Sequence, residues 1–348
     1  MRSAFHALLS PGLFRLFLAS AVVVSHLTRL EIGRPAVSVF FLLSGYWVAR
    51  MFESKYAILQ KPVVAFYISR FWRLFPVFAA CQLLAMALYW RVPDLLLLDG
   101  TRPDFAPLWV FRAFTILGTG SQPLMIAPAW SLDVEMQFYL LLPISMSLLA
   151  LVPRPKRAGA ALVLGLLFLP LSWNMRGLTT PFLPAHLSFF CFGIANADAR
   201  WQPSRRLAFA SIFGCAGAIL AVLTVPATRA LLLKFETPLP LDRYHALFTS
   251  FLALGIAPFV AYSVNLKSSS LDKHLGNFSY PFYLFHWLPF LWWRHHFGPL
   301  SFKADFGVMC AEIATMVGGA LLIYWFIDRP CDAWRAAFVR RHFPRAAE

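Results

Sequence analysis

Acidic side chains are scarce in this chain. There are 16 Asp and Glu against 31 Lys and Arg in 348 residues, and charged residues of either sign make up only 14%. A soluble domain of this length needs a charged shell, and this chain has too few charges to make one. Cysteine is scarcer still. Cys81, Cys191, Cys215, Cys310 and Cys331 are scattered, mostly in apolar segments, with no CxxC pair and no His/Cys cluster. That pattern supports neither a disulfide framework nor a metal site. Internal repeats and low-complexity segments are also lacking. The formal charge of +15 would suit nucleic acid. The basic residues cluster, however, in short loops between apolar runs, the pattern that membrane topology imposes, so nucleic acid is not an expected partner.

Apolar side chains are abundant, 59% of the total, with 16% aromatic. Stretches long enough to cross a lipid bilayer, about 20 residues of helix, recur along the whole length. The expected fold is all-α: a polytopic integral membrane protein forming one domain over residues 1–348. Ten segments read as membrane helices, at 12–29, 35–50, 73–91, 135–152, 159–174, 183–199, 207–225, 244–264, 278–293 and 306–327. An eleventh stretch, 106–126, is apolar but holds Arg112, Gly118, Gly120 and Pro123. It reads as a re-entrant or interfacial segment on the outer side. With a cytoplasmic N-terminus, inner loops hold Arg50, Lys55, Lys61, Arg70 and Arg73, then Arg154, Lys156 and Arg157, then Arg200, Arg205 and Arg206. Were 106–126 to span as well, every later cluster would move outside and the positive-inside bias would invert. Arg15 interrupts the first apolar run and a second run follows at once. An uncleaved first helix is therefore expected rather than a secretory signal.

Arg15 and His26 lie eleven residues apart in that first run, LFRLFLASAVVVSH. Eleven helical residues make about three turns and rise ~16 Å, so both side chains project from one face at different depths. Ionisable groups inside a span are costly and mark functional sites by default. A neutral imidazole can take a proton from a hydroxyl or accept an acyl group. Arg15 is either a snorkelling arginine or a clamp for an anionic cofactor. Arg70 and Arg73, in YISRFWRLFP, share a helix face and could grip phosphate, although positive-inside charge alone explains the pair. WSLDVEMQFYLLLP, from Trp130 to Pro143, places Asp133 and Glu135 at the outer start of a span. Either carboxylate could orient the imidazole of His26, in the same half of the bilayer. Helix capping explains Asp133 well and Glu135 less well. FFLLSGYW sets Ser44 and Gly45 in the second span, where close helix packing is the favoured reading. SYPFYLFHWLP supplies Tyr283 and a second intramembrane imidazole, His286, for which an aromatic belt is an equal explanation. Glu312 in the last span has no partner legible in the sequence.

Taken in order, these motifs resemble the bacterial acyltransferase-3 family, membrane O-acyltransferases that modify polysaccharides, lipopolysaccharide, Nod factors and some antibiotics. The resemblance runs through Arg15-x10-His26, FFLLSGYW, Arg70-x-x-Arg73 before Pro76, WSLDVEMQFYLLLP, FFCFGIANA at 189–197, SYPFYLFHWLP and FIDRP at 326–330. It covers nearly the whole chain. It implies transfer of an acyl group, with acetyl expected, from cytoplasmic acyl-CoA to a hydroxyl of a cell-surface glycan or glycolipid. The implied place is the inner (cytoplasmic) membrane, multi-pass, with both termini cytoplasmic. In the family the histidine matching His26 is essential, Arg15 belongs to the same motif, and the arginines matching Arg70 and Arg73 are thought to serve donor binding. His26 is thus expected to be catalytic, with Glu135 or Asp133 as orienter. Arg15, Arg70 and Arg73 are expected to meet acyl-CoA. Ser44, Trp130, Tyr139, Tyr283 and His286 are expected to support the site or contact the acceptor, and no metal is expected.

One departure stands out: Ser38 replaces the acid of the G-V-D that the family often has before its FF-x-x-SG motif. Many relatives also carry an extra C-terminal esterase-like domain, whereas this chain stops about twenty residues after its last span. Transfer on the outer face is then expected to proceed unaided or with a separate envelope-assembly partner. Two rival readings remain, a transporter or flippase of a lipid-linked saccharide and a non-catalytic envelope-assembly protein. Ten spans and buried charges suit the first, but inverted repeats and paired broken helices are not evident.

Overall fold

A computed structural model of the chain describes residues 10–97, 100–119, 124–174, 182–233, 242–298, 300 and 304–346. Among these residues the secondary structure is helical apart from two isolated β-bridges, Leu30 with Leu233 and Leu59 with Arg345. The helices are α1 (Pro11–Leu27), α2 (Gly33–Met51), α3 (Pro62–Arg91), α4 (Pro107–Ala113), α5 (Trp130–Leu151), α6 (Arg154–Asn174) and α7 (Leu183–Ala199). They continue with α8 (Arg205–Thr224), α9 (Asp242–Gly255), α10 (Ala257–Ser263), α11 (Ser270–Phe285), α12 (Trp287–Phe297), α13 (Phe306–Ile323) and α14 (Arg329–His342). Among the described residues seven helical stretches are long and apolar enough to cross a membrane: Gly33–Tyr56, Pro62–Arg91, Ala127–Leu151, Arg154–Trp173, Arg205–Thr224, Tyr244–Ser263 and Phe306–His342. The all-α polytopic fold is thus what the structure shows.

The elements depart from the expected spans in instructive places. α1 and α7 are apolar but have only 17 residues each, about 26 Å of helix. The segment expected at 278–293 is divided where α11 ends at Phe285 and α12 begins at Trp287. Pro289 has no N–H to give the Phe285 carbonyl, and that missing bond accounts for the break. α3 starts at Pro62 instead of 73, with proline preset for the first turn, so Arg70 and Arg73 are helical. Among the described residues of 106–126 only Pro107–Ala113 is α-helical. Seven residues rise ~10 Å, too short to cross. Gly120 and Pro123 of that segment lie outside the described residues.

The chain divides into two compact units. The first comprises Met1–Glu53, Leu141–Leu178 and Phe182–Ser279. In it α1 packs on α2, α2 on α7, and α7 on α6. Glycine sets the α2–α7 approach. A Cβ on Gly45 would come within 2.2 Å of the Phe190 carbonyl oxygen, and one on Gly193 within 2.1 Å of the Leu42 carbonyl oxygen. The FFLLSGYW and FFCFGIANA motifs are therefore two halves of one contact, with Phe41 stacked on Phe190 at 4.9 Å. At the start of α1, the capping Ser10 makes no side-chain bond to its own helix. Asp272 of α11 replaces it, accepting from Ser10 Oγ and from the Leu13 N–H at 2.8 Å. Burial raises the titration point of the Asp272 carboxyl. Hydrogen bonds from Ser10, Ser268, Leu13 and Gly12 outweigh that effect and hold it below the usual aspartate range.

The second unit comprises Ser54–Leu140, Thr179–Pro181 and Tyr280–Glu348. Here α3 is gripped by α14, with Trp72 against Phe338 at 5.3 Å between ring centres. The segments before α3 and after α14 clasp each other. Gln60 N–H donates to the Pro344 carbonyl at 3.1 Å, and Ala346 N–H to the Ile58 carbonyl at 2.9 Å. Gly319 on α13 makes room for the Phe285 ring, which a Cβ would meet at 2.1 Å.

Candidate active site

In the first unit, α1 carries both residues of the Arg15-x10-His26 motif, each half-buried. His26 sits in the last turn of the helix. The turn is held firmly. Thr28 Oγ1 donates to the Val24 carbonyl at 2.7 Å, and Glu31 N–H to the Leu232 carbonyl at 2.7 Å. Ser25 Oγ donates to Glu31 Oε1 at 3.3 Å. Glu31, passed over in the sequence, is thus the acid that the fold holds beside the histidine's turn. Gly33 explains how the chain returns so tightly, since a Cβ there would lie 3.0 Å from Ser25. Ser44 lies on α2 next to the close-packed Gly45.

In the second unit, Arg70 is buried among aromatic groups. Its guanidinium lies 6.0 Å from the Phe66 ring centre and 5.7 Å from that of Tyr139. Tyr139 in turn donates its hydroxyl to Glu135, one helical turn earlier on α5. Arg70, Tyr139 and Glu135 therefore form one connected cluster. Arg73 faces a different partner, an ion pair with the buried Asp328, and lies 5.6 Å from the Tyr280 ring centre. The i, i+3 spacing that suggested a shared phosphate grip places the two cations against separate partners. The π-helical turn Tyr324–Asp328 precedes α14 and ends on the carboxylate that pairs with Arg73. The FIDRP motif is thereby explained as the counter-charge of the arginine motif.

Asp133 is fully buried and fully used. Oδ2 accepts from the Thr119 N–H at 2.8 Å and its Oγ1 at 2.9 Å, and Oδ1 accepts from Gln137 Nε2 at 2.8 Å. It ties the segment after α4 to α5. Gly118, with φ at 78°, makes the turn that presents Thr119. Trp130 opens α5. Its neighbour Ser131 and Tyr283 of α11 lie 2.9 Å apart, and both donate to the Pro128 carbonyl at 3.1 Å. Tyr283 is accordingly a brace between helices. His286, at the α11–α12 break, is fully buried, with Nδ1 3.3 Å from the Phe282 carbonyl. Glu312 is also fully buried, and neither carboxylate oxygen has a hydrogen-bond partner among the described residues. Among the described residues no group of three His, Cys, Asp or Glu side chains gathers to hold a metal.

The acyltransferase-3 family, described as an acyltransferase domain, matches residues 5–327. The chain belongs to that family. It is similar to Nodulation protein 10 of Rhizobium leguminosarum bv. viciae, 25% identical over 94% of each chain. It is also similar to Acyltransferase MdmB of Streptomyces mycarofaciens, 26% identical over 88% of this chain and 82% of that one. No solved structure matches it. This acyltransferase-3 protein is therefore a multi-pass membrane acyltransferase. The family match ends one residue before Asp328, so the ion pair to Arg73 and all of α14 lie beyond it.

Proposed function

We propose that this protein transfers an acetyl group from cytoplasmic acetyl-CoA to a hydroxyl of a cell-surface glycan or glycolipid. The observation that carries the reading is the family match over nearly the whole chain, with an imidazole in the last turn of the apolar helix α1. In the proposed chemistry His26 accepts the acceptor's hydroxyl proton as that oxygen attacks the thioester carbonyl. The C–S bond breaks, an ester forms, and the leaving thiolate takes the proton from the imidazolium to give coenzyme A. Arg70 is assigned to the donor phosphates. Its cage of Phe66 and Tyr139 presents a fixed guanidinium, and a rigid planar cation suits phosphate. Arg15 is assigned to attracting the anionic donor. Arg73 is already matched by Asp328 and is assigned to keeping α3 in register. Glu135 is assigned, through Tyr139, to the same cluster as Arg70. The protein is placed in the inner membrane with both termini cytoplasmic.

The test is purified protein in nanodiscs with acetyl-CoA, read as thiol release and as new ester on surface glycans by mass spectrometry. Ester present with the protein and absent without it is the expected result. Acetyl-CoA left intact, with unmodified glycans, would refute the donor and acceptor together.

A further inference from the structure

Arg335 lies in α14, outside the family match, yet it is one of the few buried arginines in the second unit. Its guanidinium is committed on both sides. Nη1 donates to Ser69 Oγ at 2.7 Å, while Nε and Nη2 donate to Asp332 Oδ1 at 3.1 and 2.6 Å. Ser69 is the residue immediately before Arg70. Its hydroxyl also accepts from Tyr56 at 2.6 Å, and Tyr56 meets Phe66, a wall of the Arg70 cage, edge-on at 5.5 Å between ring centres. Ser69 therefore ties α3 both to the turn just before it and to α14, 266 residues further along the chain. Nothing in the sequence of α14 advertises this, because its arginines look like ordinary inner-face charge.

We infer that Arg335 is a positioning residue. By holding Ser69 and Tyr56 it sets the rotamer of Arg70 and the walls of its cage. It touches neither donor nor acceptor. Asp332 holds the guanidinium by two N–H groups, which aims the third, charge-assisted bond at Ser69, so removing Arg335 frees Ser69 to rotate and Tyr56 to leave. The inference rests on the reading of Arg70 as the donor-phosphate contact.

The test uses full-length protein in nanodiscs, with coenzyme A and, separately, acetyl-pantetheine, which lacks the nucleotide phosphates. Arg335→Gln should weaken coenzyme A binding about tenfold, the low end for loss of a charge-assisted hydrogen bond acting through a neighbour. Acetyl-pantetheine should bind as in the wild type. Ser69→Ala, which deletes one hydroxyl and spares the fold, should reproduce the loss. The double variant should be no worse than either single one, since both break the same link. Arg335→Lys, able to reach one partner but not both, should fall between. Arg341→Gln, exposed on the same helix, should bind normally. Equal weakening of both probes, additive losses, or normal coenzyme A binding by Ser69→Ala would overturn the inference. Arg70→Ala keeps the two readings separate. If it binds coenzyme A normally, the donor role of Arg70 fails. If it binds poorly while Ser69→Ala and Arg335→Gln bind normally, only the role of Arg335 fails.

Discussion

Arg73 and Asp328 are 255 residues apart in sequence and meet in one ion pair largely shut off from water. Breaking such a pair from one side strands a charge in a poor solvent, at a cost of ~3–5 kcal/mol, whereas replacing both partners with apolar groups of similar size is close to neutral. Asp328→Ala should therefore lower the thermal midpoint in detergent sharply, and adding Arg73→Met should recover most of the loss. An Asp328→Ala protein as stable as wild type would remove the structural role assigned to the pair. Glu312 presents the opposite situation, since its buried oxygens have no hydrogen-bond partner among the described residues. Glu312→Leu removes that unmet demand and should stabilise the fold by ~1–3 kcal/mol. A lowered midpoint would mean that the carboxyl is engaged in the membrane.

Individual elements show where small residues and caps decide the structure. The α2–α7 crossing depends on Gly45 and Gly193, each with a carbonyl where a Cβ would stand. Gly193→Ala should abolish correctly folded protein or cost several kcal/mol, as overpacking against backbone does. Gly214→Ala on α8, with open space around it, should stabilise or leave unchanged, because alanine is the better helix former. Similar midpoints for the two would contradict the packing described. The cap on α1 has a pH signature. Because folding lowers the titration point of Asp272, its contribution is complete above the ordinary aspartate value of about 4 and is lost as pH falls through the folded value. Asp272→Asn should be less stable at pH 7, by ~1 kcal/mol for a lost cap. Its midpoint should also depend less on pH below about 4. An identical acid limb in both proteins would rule the cap out as its source.

Over the whole molecule, apolar runs and loop charges made the helical, membrane-spanning character legible, because a span is a local property of about 20 residues. The break at Phe285–Trp287 was missed since hydropathy does not register one absent N–H at Pro289. The early start of α3 was hidden by Arg70 and Arg73, whose charges looked like loop and are in fact matched inside the fold. Of the candidate site residues, His26 and His286 were legible as costly groups in apolar surroundings, Asp133 as an acid at the start of a span, and Arg70 only as loop charge. Their partners were not, because Thr119, Asp328, Ser69 and Glu31 become meaningful only once the helices have met. The surface agrees with a lipid setting: α8 is almost wholly unburied, with Phe213 68% and Leu220 63% exposed. Reporters fused after Arg157 and Arg206 should give cytoplasmic signals, the orientation that the basic loops require. Outer-face signals at both would invert it.

The central proposal is that the imidazole in the last turn of α1 serves as the base for acyl transfer. The direct measurement compares wild type with His26→Gln for acetyl transfer in nanodiscs at equal amounts of folded protein, alongside coenzyme A binding. Glutamine keeps hydrogen-bonding capacity but cannot take up a proton near neutral pH, and loss of a positioned base costs ~10²–10⁴ in rate. The account predicts normal insertion, retained coenzyme A binding and transfer reduced at least a hundredfold. Near-wild-type transfer by His26→Gln would contradict it.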